Sequence, residues 1–426
     1  MQIVMLTVGS RGDVQPFVLL GRALQARGHS VAVATGTEFR GYVEGAGLAY
    51  RPLGSDLAEY AATLFLNPKV QAAIAKSSSI YRMALAAPKP TAAQQRRFTE
   101  EMVEAGDGAD LIINSNLTRI GALVRPGVPW CTVSSWPVTG TGEFPALGAP
   151  RWPLGSGYNR FTYQASASME WMLYRPSVNR GRREGGAGPL GLRSPFLGIG
   201  RDVPILYPYS AQVLPVPGDW PQGCHVTGYW FGDEPAPRPD ELAAFLDSGG
   251  APLVATFGSS WPPCGPKLLA ATYEAVRRLG CRLVLVGGPD GDPPADLDVY
   301  RVPFVDYPWL FARAAAVLHH GGQGTVGHAV RAGIPQVAIP CFADQPVWAA
   351  RIPALGIGPA PIPFTELDQA NPGRLVAALR SVLEDKEFTE RAAELSGPVR
   401  HEQGLDNACD VVENVAVTSA REARPS

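Results

Sequence analysis

Residues 319–325 read HHGGQGT and follow directly on an apolar run, AAAVL. Three of the six histidines in the chain, His319, His320 and His328, fall within ten positions here. Such a cluster admits a metal site, a structural turn or a seat for an anion. A metal needs ligands that converge on one point, and two neighbours on a strand face opposite sides. His319 is therefore expected in the core and His320 at the surface of a cleft. Four glycines in seven residues (Gly321, Gly322, Gly324, Gly327) exceed what a turn requires. Glycine lets a backbone approach an anion closely, and the free N–H groups opening a helix bind phosphate. With that helix starting near Thr325, His320 can donate to a phosphate oxygen and Thr325 can add its hydroxyl. The anion seat is the reading that uses every residue.

Two carboxylates stand near similar loops. In VGSRGDVQP, Gly9 and Gly12 are three apart, which is not the G-x-G-x-x-G spacing of a dinucleotide site and weighs against NAD. Asp13 reads first as the N-cap of the next helix and second as a carboxylate at a cleft mouth that takes a proton from a hydroxyl. The RGD tripeptide as an adhesion motif needs an extracellular setting that nothing else in the chain supplies. In CFADQPVW, Asp344 and Gln345 offer acceptors and donors suited to a polyol, or a turn and cap before Pro346.

These loops need rigid elements to hold them. A strand from Ile3 to Thr7, a glycine loop, a helix with Phe17, Leu20, Gly21 and Leu24 on one face, Gly28 and the strand SVAVAT open the chain. The same order returns after residue 250: APLVATFGSS, a helix striped by Leu268, Leu269, Thr272, Tyr273, Val276 and Leu279, then Gly280 and CRLVLVGG. Alternating β and α with continuously apolar strands implies an α/β protein with two parallel, Rossmann-like sheets. The length, 426 residues, suits two domains. Proline-rich stretches suggest residues 1–212 as the first, 213–235 as a linker, 236–395 as the second and 396–426 as a helical segment that packs back on the first.

Composition narrows the function. A net charge of −2 argues against nucleic acid or an anionic membrane as a partner. The six cysteines are scattered with no C-x-x-C pair, which fits a reducing cytosol. The MQIVMLTVG start reads as a strand rather than a signal peptide, and no apolar run approaches the roughly 18 residues of a membrane span. A cytoplasmic location is the expectation.

Taken together, GSRGDVQPFVLLGRALQARGHSV, VTGYWF, FGSS and DYPWLFARAAAVLHHGGQGTVGHAVRAGIPQVAIPCFADQPVWAARI resemble the family-one nucleotide-sugar glycosyltransferases of the GT-B fold, in the bacterial natural-product branch near the sterol-type and glycopeptide-type enzymes. The resemblance implies an acceptor-binding first domain and a donor-binding second one, facing across a cleft. It implies inverting transfer of a hexose from a UDP-glucose-like or dTDP-deoxysugar donor to a hydroxyl of a small, largely apolar acceptor, with no metal or other cofactor. By it, Asp13 is the base, and His320, Gly322, Gly324, Thr325, Ser259 and Ser10 hold the diphosphate. Asp344 and Gln345 hold the sugar, and Val305, Trp309 and His328 lie by the nucleoside. His328 stands where many relatives carry Glu on the ribose, and the segment before Trp309 lacks a polar residue often found there.

The middle of the first domain matches no motif, and acceptor contacts belong there. Its aromatics include Tyr81, Trp136, Phe144, Trp152, Phe161 and Trp171, of which Trp136 and Phe144 are the acceptor-pocket candidates and most others are expected in the core. A nucleotide-sugar epimerase and a non-catalytic partner protein with the same fold are the competing classes. The joint presence of Asp13, His320 and the Asp344–Gln345 pair argues against the latter.

Overall fold

A computed structural model describes residues 1–54, 67–76, 86–88, 91–232, 237–289 and 291–422. Tyr81, part of the linker at 233–235 and the last residues of the C-terminal segment lie outside these. The first sheet has seven parallel strands in the order β3-β2-β1-β4-β5-β6-β7: β1 (Gln2–Leu6), β2 (Ser30–Thr35), β3 (Ala49–Pro52), β4 (Leu111–Ser115), β5 (Trp130–Val133), β6 (Ile205–Tyr207) and β7 (Cys224–Val226). The second has five parallel strands ordered β10-β9-β8-β11-β12: β8 (Leu253–Thr256), β9 (Leu283–Val286), β10 (Val299–Val302), β11 (Ala316–His319) and β12 (Gln336–Ala338). This is the α/β architecture that the alternating pattern implied.

One difference concerns the join. Residues 224–226 are not connector, because β7 adds an edge strand to the first sheet by pairing with β6. The prolines around it mimic a linker, yet proline is compatible with the ends of an edge strand.

The helices that position the loops are α1 (Arg11–Ala26), α2 (Ala92–Ala105), α3 (Ile120–Val124), α4 (Gly155–Glu184), α5 (Trp261–Leu279), α6 (Tyr307–Phe311), α7 (Gln323–Ala332), α8 (Gln345–Ala349), α9 (Lys386–Arg400) and α10 (Gly404–Glu422). On one face of the first sheet, Ile3, Met5, Val33 and Ile113 pack against Val14, Phe17 and Leu24 of α1 and Ala408 and Val412 of α10. The other face packs on α2, α3 and α4 through Met102, Ile120 and Trp171. Arg27 donates to Asp410 and Glu413, so charge as well as apolar burial holds α10 on the first half. Gly280 and Gly333 end α5 and α7 in the left-handed region that glycine adopts without penalty.

Strand order reverses at β1 in the first sheet and at β8 in the second. Crevices open at such points beyond the carboxyl ends of the strands. The loops after β1, β8 and β11 are the SRGD, FGSS and HHGGQGT segments, so topology brings the first to the crevice of one sheet and the other two to the crevice of the second.

Candidate functional site

The first loop sets a carboxylate. The N-cap of α1 is Ser10, and Asp13 lies three residues inside it, which corrects the expectation that Asp13 is itself the cap. The Ser10 backbone N–H donates to Asp13 Oδ2 at 2.7 Å and its hydroxyl to the same oxygen at 2.9 Å. Ser10 thus directs both donors to Asp13. Gly9 holds φ +132°, and a Cβ there would collide with the Asp13 carboxylate. Burial raises the Asp13 pKa above its ordinary value, against the lowering pull of the Ser10 hydrogen bonds. A small pocket opens beside it, lined by Phe17, Asn116, Leu117, Ser135 and Trp136. Trp136 lines this pocket beside Asp13; Phe144 does not. Trp171 is fully buried, whereas Trp152 and Phe161 are exposed.

The glycine turn divides its labour. His319 is fully buried; its Nε2 meets Gln336 Oε1 at 3.0 Å and its Nδ1 accepts the Gly321 N–H at 3.0 Å. That ring shapes the turn and is held neutral, its pKa pushed down to about 3 by burial. The His320 ring packs between two glycines, since a Cβ on Gly258 or on Gly322 would press into it. Burial also pushes His320 down to about 4. α7 begins at Gln323 rather than near Thr325, so the N–H groups free of helix bonds belong to Gln323, Gly324 and Thr325. Gly321 has a positive φ and Gly327 abuts the Tyr229 ring, so each has a reason inside the protein. Gly324 has none: a Cβ there would meet nothing within 4 Å. Replacing Gly324 with Val is therefore expected to leave thermal stability unchanged but to weaken dTDP binding about tenfold or more by crowding the helix N-terminus, as read by melting curves and calorimetry. Ser259 sits exposed on the turn after β8, beside Gly258.

The second carboxylate is held by strain. Among the described residues, Ala343 is the one non-glycine with a positive φ, at 56°. An alanine there costs roughly 1–2 kcal/mol, so its surroundings must impose it. Gln345 supplies that constraint: its Oε1 accepts from the Cys341 and Phe342 N–H groups, and its Nε2 donates to Ser260 Oγ. Gln345 is 3% exposed, which leaves one amide N–H for a ligand and makes its main work the fixing of this turn. Asp344 accepts from Trp348 Nε1 at 3.0 Å. Burial, and next the charge of Asp13, raise the Asp344 pKa to about 7. The two carboxylates thus feel each other across the cleft.

The nucleoside candidates separate. Val305 is 1% exposed in the core of the second half, so only its backbone could meet a base. Trp309 lies under the Arg313 guanidinium, 5.0 Å from the ring centroid. The aromatic of this turn that contacts the opposite half is Phe304, which sequence reasoning missed; Arg11 of SRGD lies 4.2 Å from its centroid. His328 packs beside Phe231 and Tyr307, and burial lowers its pKa to about 4. Gln323 also crosses between the halves, donating from Nε2 to the Pro208 carbonyl.

Comparisons with known proteins identify the family and the fold. Residues 3–99 match the glycosyltransferase family 28 N-terminal domain, and residues 294–403 the erythromycin biosynthesis protein CIII-like C-terminal domain. The chain is 41% identical over 423 residues to an O-mycaminosyltylonolide 6-deoxyallosyltransferase of Streptomyces fradiae, covering 98% of each. It is 33% identical to a sterol 3-beta-glucosyltransferase of Arabidopsis thaliana, covering 96% of this chain and 64% of that one. The spinosyn rhamnosyltransferase SpnG, solved with thymidine diphosphate, superposes with a TM-score of 0.62 at 19% identity, covering 97% and 100%. No helix among the described residues is long and apolar enough to cross a membrane.

Proposed function

The chain belongs to the GT-B glycosyltransferases of the macrolide and natural-product type, and we propose that it moves a 6-deoxyhexose from dTDP to a hydroxyl of a largely apolar, macrolide-like acceptor with inversion. The observation that carries this reading is a glycine-opened helix N-terminus in one half and a buried carboxylate, Asp13, in the other, on halves that Arg11 and Phe304 bring into contact. Asp13 takes the proton from the acceptor hydroxyl as that oxygen attacks the anomeric carbon, through an oxocarbenium-like state. The C–O bond to the diphosphate breaks, and the leaving oxygen gathers charge. His320 and the N–H groups of Gln323, Gly324 and Thr325 take up that charge, so the residues supply what a metal would elsewhere. Asp344, placed by the Ala343 strain, meets the sugar hydroxyls, while Gln345 holds the turn.

The relative with 41% identity transfers a 6-deoxysugar, which favours dTDP, whereas the sterol relatives name a glucosyl transfer and keep UDP-glucose as the second reading. Calorimetric titration with dTDP and UDP, side by side and without acceptor, separates them. Tighter dTDP is expected. Tighter UDP would move the donor to a UDP-hexose, and binding of neither at millimolar concentration would sink the anion seat.

A further inference from the structure

The RGD string of the first loop has an unclaimed member. Arg11 opens α1, where a cation opposes the helix dipole. Its guanidinium carbon lies 4.4 Å from the ring centroid of Tyr42, in the first half, and 4.2 Å from that of Phe304, in the second. A planar cation against two aromatic faces from opposite sides of a cleft is an attractive arrangement with a defined geometry. Both ends of it are rigidly held. Arg11 precedes Gly12 and Asp13 on the first turn of α1. Phe304 leads into the turn whose Asp306 caps α6 by accepting the Trp309 N–H, and Asp306 is itself paired with Arg238.

We infer that Arg11 is a cross-cleft positioning residue. Its stack on Phe304 ties the helix that carries Asp13 to the 303–306 turn of the donor half, so that a nucleotide seated against this turn also sets the place of the base. This rests on the donor reading above only in its second step; the stack itself is independent of any ligand. Arg11 touches neither the reacting atoms nor the proton in this scheme. It acts through Phe304.

The test compares the full-length protein with Arg11→Gln, Phe304→Leu and the double variant, by two readouts. Without nucleotide, hydrogen exchange is followed at residues 9–14 and 303–307. Arg11→Gln is expected to speed exchange in the 303–307 turn of the opposite half, and Phe304→Leu to speed it in the Asp13 loop. Changes confined to the loop that carries each substitution would overturn the stack. With dTDP, each single variant is expected to weaken binding about tenfold, and the double variant no more than Phe304→Leu alone. If Arg11→Gln costs the same factor with and without Phe304, Arg11 acts on the ligand directly and the inference fails. A wild-type protein that binds neither dTDP nor UDP would refute the donor reading, while the exchange measurement would still decide the stack. Arg11 is exposed, so its loss leaves the fold intact to be measured.

Discussion

Replacing Asp13 with Asn is expected to lower turnover roughly 10²–10⁴-fold, the range for a lost general base. Turnover is followed as dTDP release from the donor in the presence of acceptor. The same change should cost little stability. Asn keeps the shape of Asp and an oxygen that can accept from the Ser10 N–H and hydroxyl. Those two bonds both end on Oδ2, and neither uses Oδ1. Capping and catalysis therefore need not compete for one oxygen, and Asp13 can do both. The Ser10→Ala variant separates the roles. The Ser10 bonds lower the Asp13 pKa, so losing the hydroxyl should raise it and move the acid limb of kcat/KM to higher pH. Because only ionised Asp13 can accept a proton, activity in that variant is lost at a higher pH than in the wild type, with the plateau rate nearly kept. In Asp13→Asn the limb should vanish altogether. The opposite pattern would leave Asp13 only its bonds to the Ser10 N-cap: a drop in melting temperature with turnover within a few fold.

The fold was largely legible because its signals are local. Apolar strands, a 3.6-residue stripe and glycines at helix ends predict βα units, and strand order then puts the loops after β1, β8 and β11 at the crevices. The parts that were not legible depend on contacts distant in sequence. Ala343 carries no sign of a left-handed backbone, because its conformation is imposed by Gln345 reaching Ser260, 85 residues away. The aromatic of this turn that meets Arg11 of the other half is Phe304, a contact between residues nearly 300 positions apart that no local pattern announces. Ser10 directs both donors to Asp13, a bond set by the turn that opens α1. The edge strand β7 hid among prolines that mimic a linker. In each case composition named the right neighbourhood, and packing chose the residue.

His320→Ala should be the most damaging change in the donor half, lowering kcat by roughly 10²–10³, as for the loss of one donor to a developing oxyanion. The ring is 8% exposed and fixed between the Gly258 turn and Gly322, so its aim does not depend on ligand binding. Held neutral with a pKa pushed down to about 4 by burial, it carries no charge at neutral pH in the free protein. A diphosphate brought beside it favours the imidazolium and must raise that pKa. Binding dTDP at about pH 6 should therefore take up a fraction of a proton, seen by calorimetry in buffers of different ionisation enthalpy. In His320→Ala this uptake should shrink together with the rate, leaving only what Asp344 and the terminal phosphate of the nucleotide contribute. His320→Asn, which restores one N–H donor without a titrating ring, should recover part of the rate and none of the proton uptake. Full uptake in His320→Ala would transfer the titration to another group, with Asp344 the next candidate, and would leave the helix N-terminus alone to bear the leaving charge.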